Sequence, residues 1–190
     1  AMVRQWGGEC VARKRLPDDP GLLESAAEGA LGAADLVVVT GGASVGEKDY
    51  SRSMFGRLGL ELIFLKVAIK PGKPVWLGRS AGRLILGLPG NPTSALVTAR
   101  LFLAPLLLKL GGAETSKAWN WVRAPLFADL AAGGARETFL RACWNGGAVC
   151  PLSDQDSGAQ RALAKADVLV RRGVDAPALG AGELATILDF

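Results

Sequence analysis

Histidine is absent from all 190 residues, which removes the commonest general base, the commonest imidazole metal ligand and every Ser-His or Cys-His nucleophile pair. Chemistry in this chain falls to carboxylates, lysines, hydroxyls, backbone amides or a bound ion. Cysteine is scarce as well. Cys10, Cys143 and Cys150 are an odd number with no close pairing along the chain, so neither a disulfide framework nor zinc-ligand spacing is indicated. Aromatic residues make up only 6%, and the tryptophans Trp6, Trp76, Trp119, Trp121 and Trp144 are assigned to packing. The apolar runs at 36–39 and 101–108 are far shorter than the ~20 residues that cross a bilayer, and the N-terminus has no basic-then-apolar signal pattern. The expectation is a cytoplasmic protein. Net charge is a modest +4 with the basic residues scattered, which suits a local anion site better than a nucleic-acid surface.

What is present is the composition of a globular chain: 49% hydrophobic and 21% charged, enough to bury a core. A strand is expected at 8–11. Asp19 then caps a helix that starts at Pro20 and runs through the alanine-rich stretch 22–34. Leu36-Val37-Val38-Val39 is an unbroken, valine-dominated run, expected to be an interior strand buried on both faces. A helix at 50–58, a strand at 62–69, a hairpin turning at Ser80-Ala81-Gly82-Arg83 and a long apolar helix at 94–110 follow. The alternation predicts an α/β fold, a mainly parallel sheet with flanking helices. Beyond Gly112 the pattern shifts to short strands at 121–126, 138–144, 148–152, 168–171 and 184–188. These predict a small all-β, barrel-like domain. The expected division is 1–113 and 114–190, with a linker near 113–118.

Three segments carry the chemistry. Strand 36–39 runs into Thr40-Gly41-Gly42-Ala43-Ser44-Val45-Gly46-Glu47-Lys48-Asp49, whose glycines let backbone amides approach an anion ahead of a helix N-terminus. It is neither a dinucleotide fingerprint nor a Walker loop, because both spacings are absent. Lys70-Pro71-Gly72-Lys73-Pro74 presents two ammonium groups on a loop stiffened by proline. Pro89-Gly90-Asn91-Pro92-Thr93-Ser94 leads a strand end into the long helix, with Thr93 or Ser94 able to cap it or to donate to a ligand. Asp18, Asp19 and Asp49 are the carboxylates in or near these loops. A carboxylate beside phosphates commonly works through magnesium.

These three segments, in this order, resemble the signature segments of the MoeA-type molybdopterin molybdenumtransferases, the family that includes the gephyrin E domain. Residues 17–20 resemble its turn after the second strand. Glu137-Thr138-Phe139-Leu140-Arg141-Ala142, Gln155-Asp156-Ser157-Gly158 and Ala181-Gly182-Glu183 are similar to its C-terminal barrel domain. The resemblance implies an enzyme of molybdenum cofactor synthesis that takes adenylylated molybdopterin and molybdate, releases AMP and leaves molybdenum on the pterin dithiolene, with Mg2+ assisting. It implies catalytic roles for Asp49, which also binds the metal, and Asp18. Substrate binding falls to Thr40, Gly41, Gly42, Ser44, Gly46, Lys70, Lys73, Pro89, Gly90, Asn91, Pro92 and Ser94, with Arg141 projecting toward the same cleft.

The family's α/β domain begins with a strand and a Thr-Gly-Asp-Glu loop upstream of the first residues here, and two N-terminal domains precede it. The resemblance therefore implies a fragment of a longer homodimeric enzyme, or a chain completed by another. Two alternatives stand beside this reading: a molybdopterin adenylyltransferase, which ATP consumption would reveal, and a binding or scaffold fragment without catalysis.

Overall fold

The structure is a computed structural model that describes residues 1–41, 50–156 and 163–190. One long helix organises it. Pro92–Thr98 (here α4) continues through a π-helical turn at Ala99–Leu103 into Ala104–Leu110 (α5). The wider turn has a visible cause, since Pro105 has no amide to offer the carbonyl of Leu101. That carbonyl instead accepts the indole Nε1 of Trp119 at 3.1 Å. The helix is apolar on all sides because sheets lie on both sides of it. Ala95, Ala99, Leu103 and Leu106 pack with Leu86 and Leu88 of one sheet and with Val75 just ahead of it, while Val97 and Leu101 pack with Ile69, Phe139, Leu169 and Leu188 of the other. Pro92–Leu110 has the length and hydropathy of a membrane span, yet more than half of it is buried inside the molecule. It is a core helix.

The chain reaches it through Met2–Gln5 (α1), Pro20–Ala33 (α2), Leu36–Thr40 (β1), Tyr50–Ser53 (α3), Glu61–Leu65 (β2), Ile69–Lys70 (β3), Trp76–Ser80 (β4) and Arg83–Leu88 (β5). Asp19 caps α2 as its sequence indicated, its carboxylate accepting the Leu22 amide at 2.9 Å. The first sheet has the order β1-β5-β4-β2, and Ala27, Leu31, Phe55, Trp76 and Ile85 form the core on its α2 face. An α/β layer followed by a β unit is what the sequence indicated, but the sheet is mixed instead of mainly parallel. Within this sheet only β1 and β5 run parallel among the described strands. The turn at Ala81-Gly82 folds β4 back on β5, and β2 pairs antiparallel with β4.

Three further expectations are corrected. β1 is not interior: it lies at the end of the sheet order with Val38 38% exposed, because a β-branched run fixes strand propensity and says nothing about how many neighbours the strand has. The strand expected at 62–69 breaks at Lys66, whose φ of 69° cannot continue a ladder, so β3 leaves the first sheet and pairs with the second. No strand forms at 8–11. Gly8 instead packs closely on Leu107 behind α1.

The second sheet has the order β3-β7-β9-β10-β6, with β8 on β7. Its strands are Val122–Pro125 (β6), Glu137–Asn145 (β7), Ala148–Pro151 (β8), Val168–Arg172 (β9) and Leu184–Asp189 (β10), each within about two residues of its sequence-based position. Ala124, Leu126, Ala142, Val149, Val170 and Ile187 fill the interior of this unit. Lys70 stands against Thr138 across the β3–β7 pair, so one of the loops marked for chemistry is braced from the C-terminal unit.

Candidate functional site

The parallel pairing of β1 with β5 puts Thr40 opposite Leu88, so the two segments leaving those strands start side by side. Their backbones nearly touch. A Cβ added to Gly90 would stand 3.3 Å from the Cα of Gly41, which itself has φ +89°. Thr40 is exposed and Pro89 buried, so the strand ends form a floor with a polar rim. Gly42, Ser44, Gly46 and Asp49 lie outside the described residues.

From this floor the chain enters α4. Asn91 is its cap, in place of Thr93 or Ser94: the side-chain oxygen accepts the amides of Thr93 at 3.1 Å and Ser94 at 3.2 Å, and Pro92 opens the first turn. An anion arriving here meets amides already engaged by the Asn91 carboxamide. It would therefore be held by the helix dipole and by nearby cations more than by those amides. Ser94 is almost buried, and Thr93 is fully buried with its Oγ1 lacking a partner among the described residues. An unmet buried hydroxyl costs about 1–3 kcal/mol. Thr93→Val keeps the shape and removes the polar atom, so it should raise folding stability by about 1 kcal/mol. A drop in the urea midpoint would show instead that the hydroxyl is paired.

The lysine loop packs on the flank of the same helix. Gly72 has φ +111°, and a Cβ there would fall 2.2 Å from Thr98 Cγ2. Thr98 cannot easily turn aside, because its Oγ1 donates to the carbonyl of Ser94 at 2.7 Å. Thr98 lies about 10 Å along the axis from Asn91. Lys70 and Lys73 are exposed and form no ion pair with a described residue, leaving both ammonium groups available. Gly72→Ala combines a disfavoured backbone conformation with overpacking, and should cost about 3 kcal/mol in chemical denaturation. A cost below about 1 kcal/mol would mean the loop is not seated on the helix.

Asp18 is exposed, two residues ahead of α2. Arg141 does not project into a cleft. It is 1% exposed, and its guanidinium donates to the carbonyls of Asp154 at 3.2 Å and Asp156 at 3.1 Å and to the Gln155 side chain. Burial lowers its pKa, opposed by the carboxylates of Asp154 and Asp156. Its role in this structure is to hold the segment after β8. An apolar groove of about 280 Å³, lined in part by Phe64, Leu77, Phe102, Lys109 and Trp119, opens toward the far end of the helix, away from these loops.

Among the described residues no group of three His, Cys, Asp or Glu side chains could hold a metal ion. Magnesium bound through phosphate oxygens needs only one or two protein carboxylates, and Asp18 fits that donor type.

Comparison with known proteins bears on this geometry. Residues 1–109 match the family described as probable molybdopterin binding domain, and residues 123–190 match the MoeA C-terminal region, domain IV. A molybdopterin molybdenumtransferase of Haemophilus influenzae is 41% identical over 116 residues, covering 61% of this chain and 27% of the relative; one from Nostoc is 34% identical over 145 residues, covering 74% and 33%. The crystal structure of a molybdopterin biosynthesis MoeA protein from Pyrococcus horikosii superposes with a TM-score of 0.81 at 31% identity, covering 98% of this chain and 45% of that one. The chain thus spans about a third of the length of these curated relatives. With both regions matched in order and the fold superposed over almost its whole length, the chain belongs to the MoeA-type family of molybdenum cofactor biosynthesis.

Proposed function

We propose that this chain is the C-terminal part of a molybdopterin molybdenumtransferase, and that residues 1–113 bind adenylylated molybdopterin and molybdate while 114–190 brace them. The observation that carries the reading is the near-contact of Gly41 with Gly90 at the start of a long helix, with two exposed lysines, neither ion-paired to a described residue, on a loop seated against that helix. Backbone approach without side chains suits a phosphate or pterin edge, and two ammonium groups suit a tetrahedral oxyanion. Asp49, with Asp18, is the carboxylate we assign to cleavage of the adenylate. Magnesium, when bound to substrate phosphates and these carboxylates, would supply charge neutralisation as AMP leaves. Upstream domains, or a complementary chain in a homodimer, complete the site in this reading.

The test uses the full-length enzyme with those domains present. Lys70→Ala or Lys73→Ala should weaken molybdate capture roughly tenfold, since a charge-assisted hydrogen bond contributes about 1.5 kcal/mol or more. Asp49→Asn should retain adenylylated molybdopterin but release AMP at least ~100-fold more slowly. Unchanged AMP release by Asp49→Asn at saturating magnesium and molybdate would remove the carboxylate from the chemistry. Ligand binding by the complete wild-type enzyme without turnover would favour a scaffold.

A further inference from the structure

Cys143 and Cys150, unremarkable in sequence, are direct partners across the β7–β8 hairpin. Ala142 and Val149, one residue away on each strand, face the interior of the β unit, so strict alternation turns both thiols to the opposite face. Both residues are partly exposed and neither is in a disulfide. The Cys143 thiol already reaches across the strands, donating to the carbonyl of Cys150 at 3.8 Å.

The ladder pattern fixes their spacing. Trp144 donates its amide to Asp167, and Ala142 accepts the Asp167 amide. Residues 142 and 144 therefore direct their backbone groups away from β8, and Cys143 directs its own toward it. Cys143 and Cys150 are thus a hydrogen-bonded antiparallel pair, with Cα atoms about 5.5 Å apart. That is inside the range of roughly 4.4–6.8 Å that a disulfide spans. The Cβ atoms of hydrogen-bonded pairs lie at the wide end of the cross-strand range, about 1.5 Å beyond what a disulfide prefers, so closure requires a shear of the two-strand ribbon.

We propose that Cys143 and Cys150 are a dithiol modification site that closes to an intramolecular disulfide by exchange with a low-molecular-weight disulfide. One protein thiolate attacks a sulfur of the small disulfide, forming a mixed disulfide and releasing one small thiol. The second protein thiolate attacks the protein sulfur of that mixed disulfide and expels the other small thiol. Two protein thiols lose two protons and two electrons, and the small disulfide gains both. The site is separate from the loops of the proposed transferase chemistry.

Glutathione disulfide is the probe, used on the folded chain with Cys10→Ser to remove the third, exposed thiol. The expected product is lighter than the reduced protein by two hydrogens, carries no glutathione, has lost both titratable thiols and recovers them with excess reduced glutathione. Adding Cys143→Ser or Cys150→Ser should stop the reaction at a single glutathione adduct. A doubly glutathionylated product, a disulfide-linked dimer, or two thiols that remain fully titratable would each overturn the proposal.

Discussion

Arg100→Ala is expected to lower folding stability by about 4 kcal/mol, read as a fall in the urea midpoint at unchanged slope. Arg100 sits in the π-helical turn, 5% exposed, and ties together parts of the molecule distant in sequence. Its Nε donates to the carbonyl of Asp189 and its Nη1 to that of Ala118, each at 2.7 Å, and the guanidinium lies 4.8 Å from the centre of the Trp6 ring. Burial lowers its pKa, while the charge of Asp189 opposes the fall. Truncation leaves two carbonyls without their donors and opens a cavity at the junction of helix and second sheet. Arg100→Lys should recover less than half of the loss, since one ammonium cannot reproduce the planar fork that spans both carbonyls. A cost below about 1 kcal/mol for Arg100→Ala would mean that the two sheets are joined by apolar packing alone.

Arg141→Ala is expected to cost about 3 kcal/mol and, more specifically, to loosen the segment that Arg141 holds. The Leu152 amide and the Gln155 side chain both donate to the carbonyl of Arg141, while its guanidinium holds the carbonyls of Asp154 and Asp156. Hydrogen exchange at residues 152–156 should therefore accelerate far more than exchange in β9 and β10. Uniform acceleration throughout the β unit would assign Arg141 to global stability. A selective loss of molybdate binding with exchange unchanged would restore the anion-binding role that the family resemblance implied.

Local chemistry was legible wherever it decided the outcome. Asp19 before Pro20 capped α2, Ala81-Gly82 turned β4 into β5, and the polar breaks after Gly112 separated five strands close to where they occur. Relations between distant segments were not legible. Nothing within 36–39 says that β1 ends a sheet, because neighbour number is set by other parts of the chain. The resemblance gave Arg141 a place toward the cleft, and only the fold brings the carbonyls of Asp154 and Asp156 over it. Cys143 and Cys150 were within reach of sequence reasoning: counting back from Gly146-Gly147 along two expected strands pairs them. In the candidate site, Thr40, Gly41, Lys70, Lys73 and residues 89–94 have the positions described above, whereas the role given to Asp49 rests on the sequence resemblance.

The central claim is that the strand ends at Gly41 and Gly90, the start of the long helix and the lysine loop make one binding site. Amide-resolved NMR of the chain during titration with adenylylated molybdopterin tests it most directly. The account predicts that the amides of Gly41, Gly90, Thr93, Ser94 and Lys73 shift together and saturate with a single binding constant. Shifts confined to the apolar groove around Phe64, Lys109 and Trp119, or to one of the three loops while the other two stay still, would contradict it.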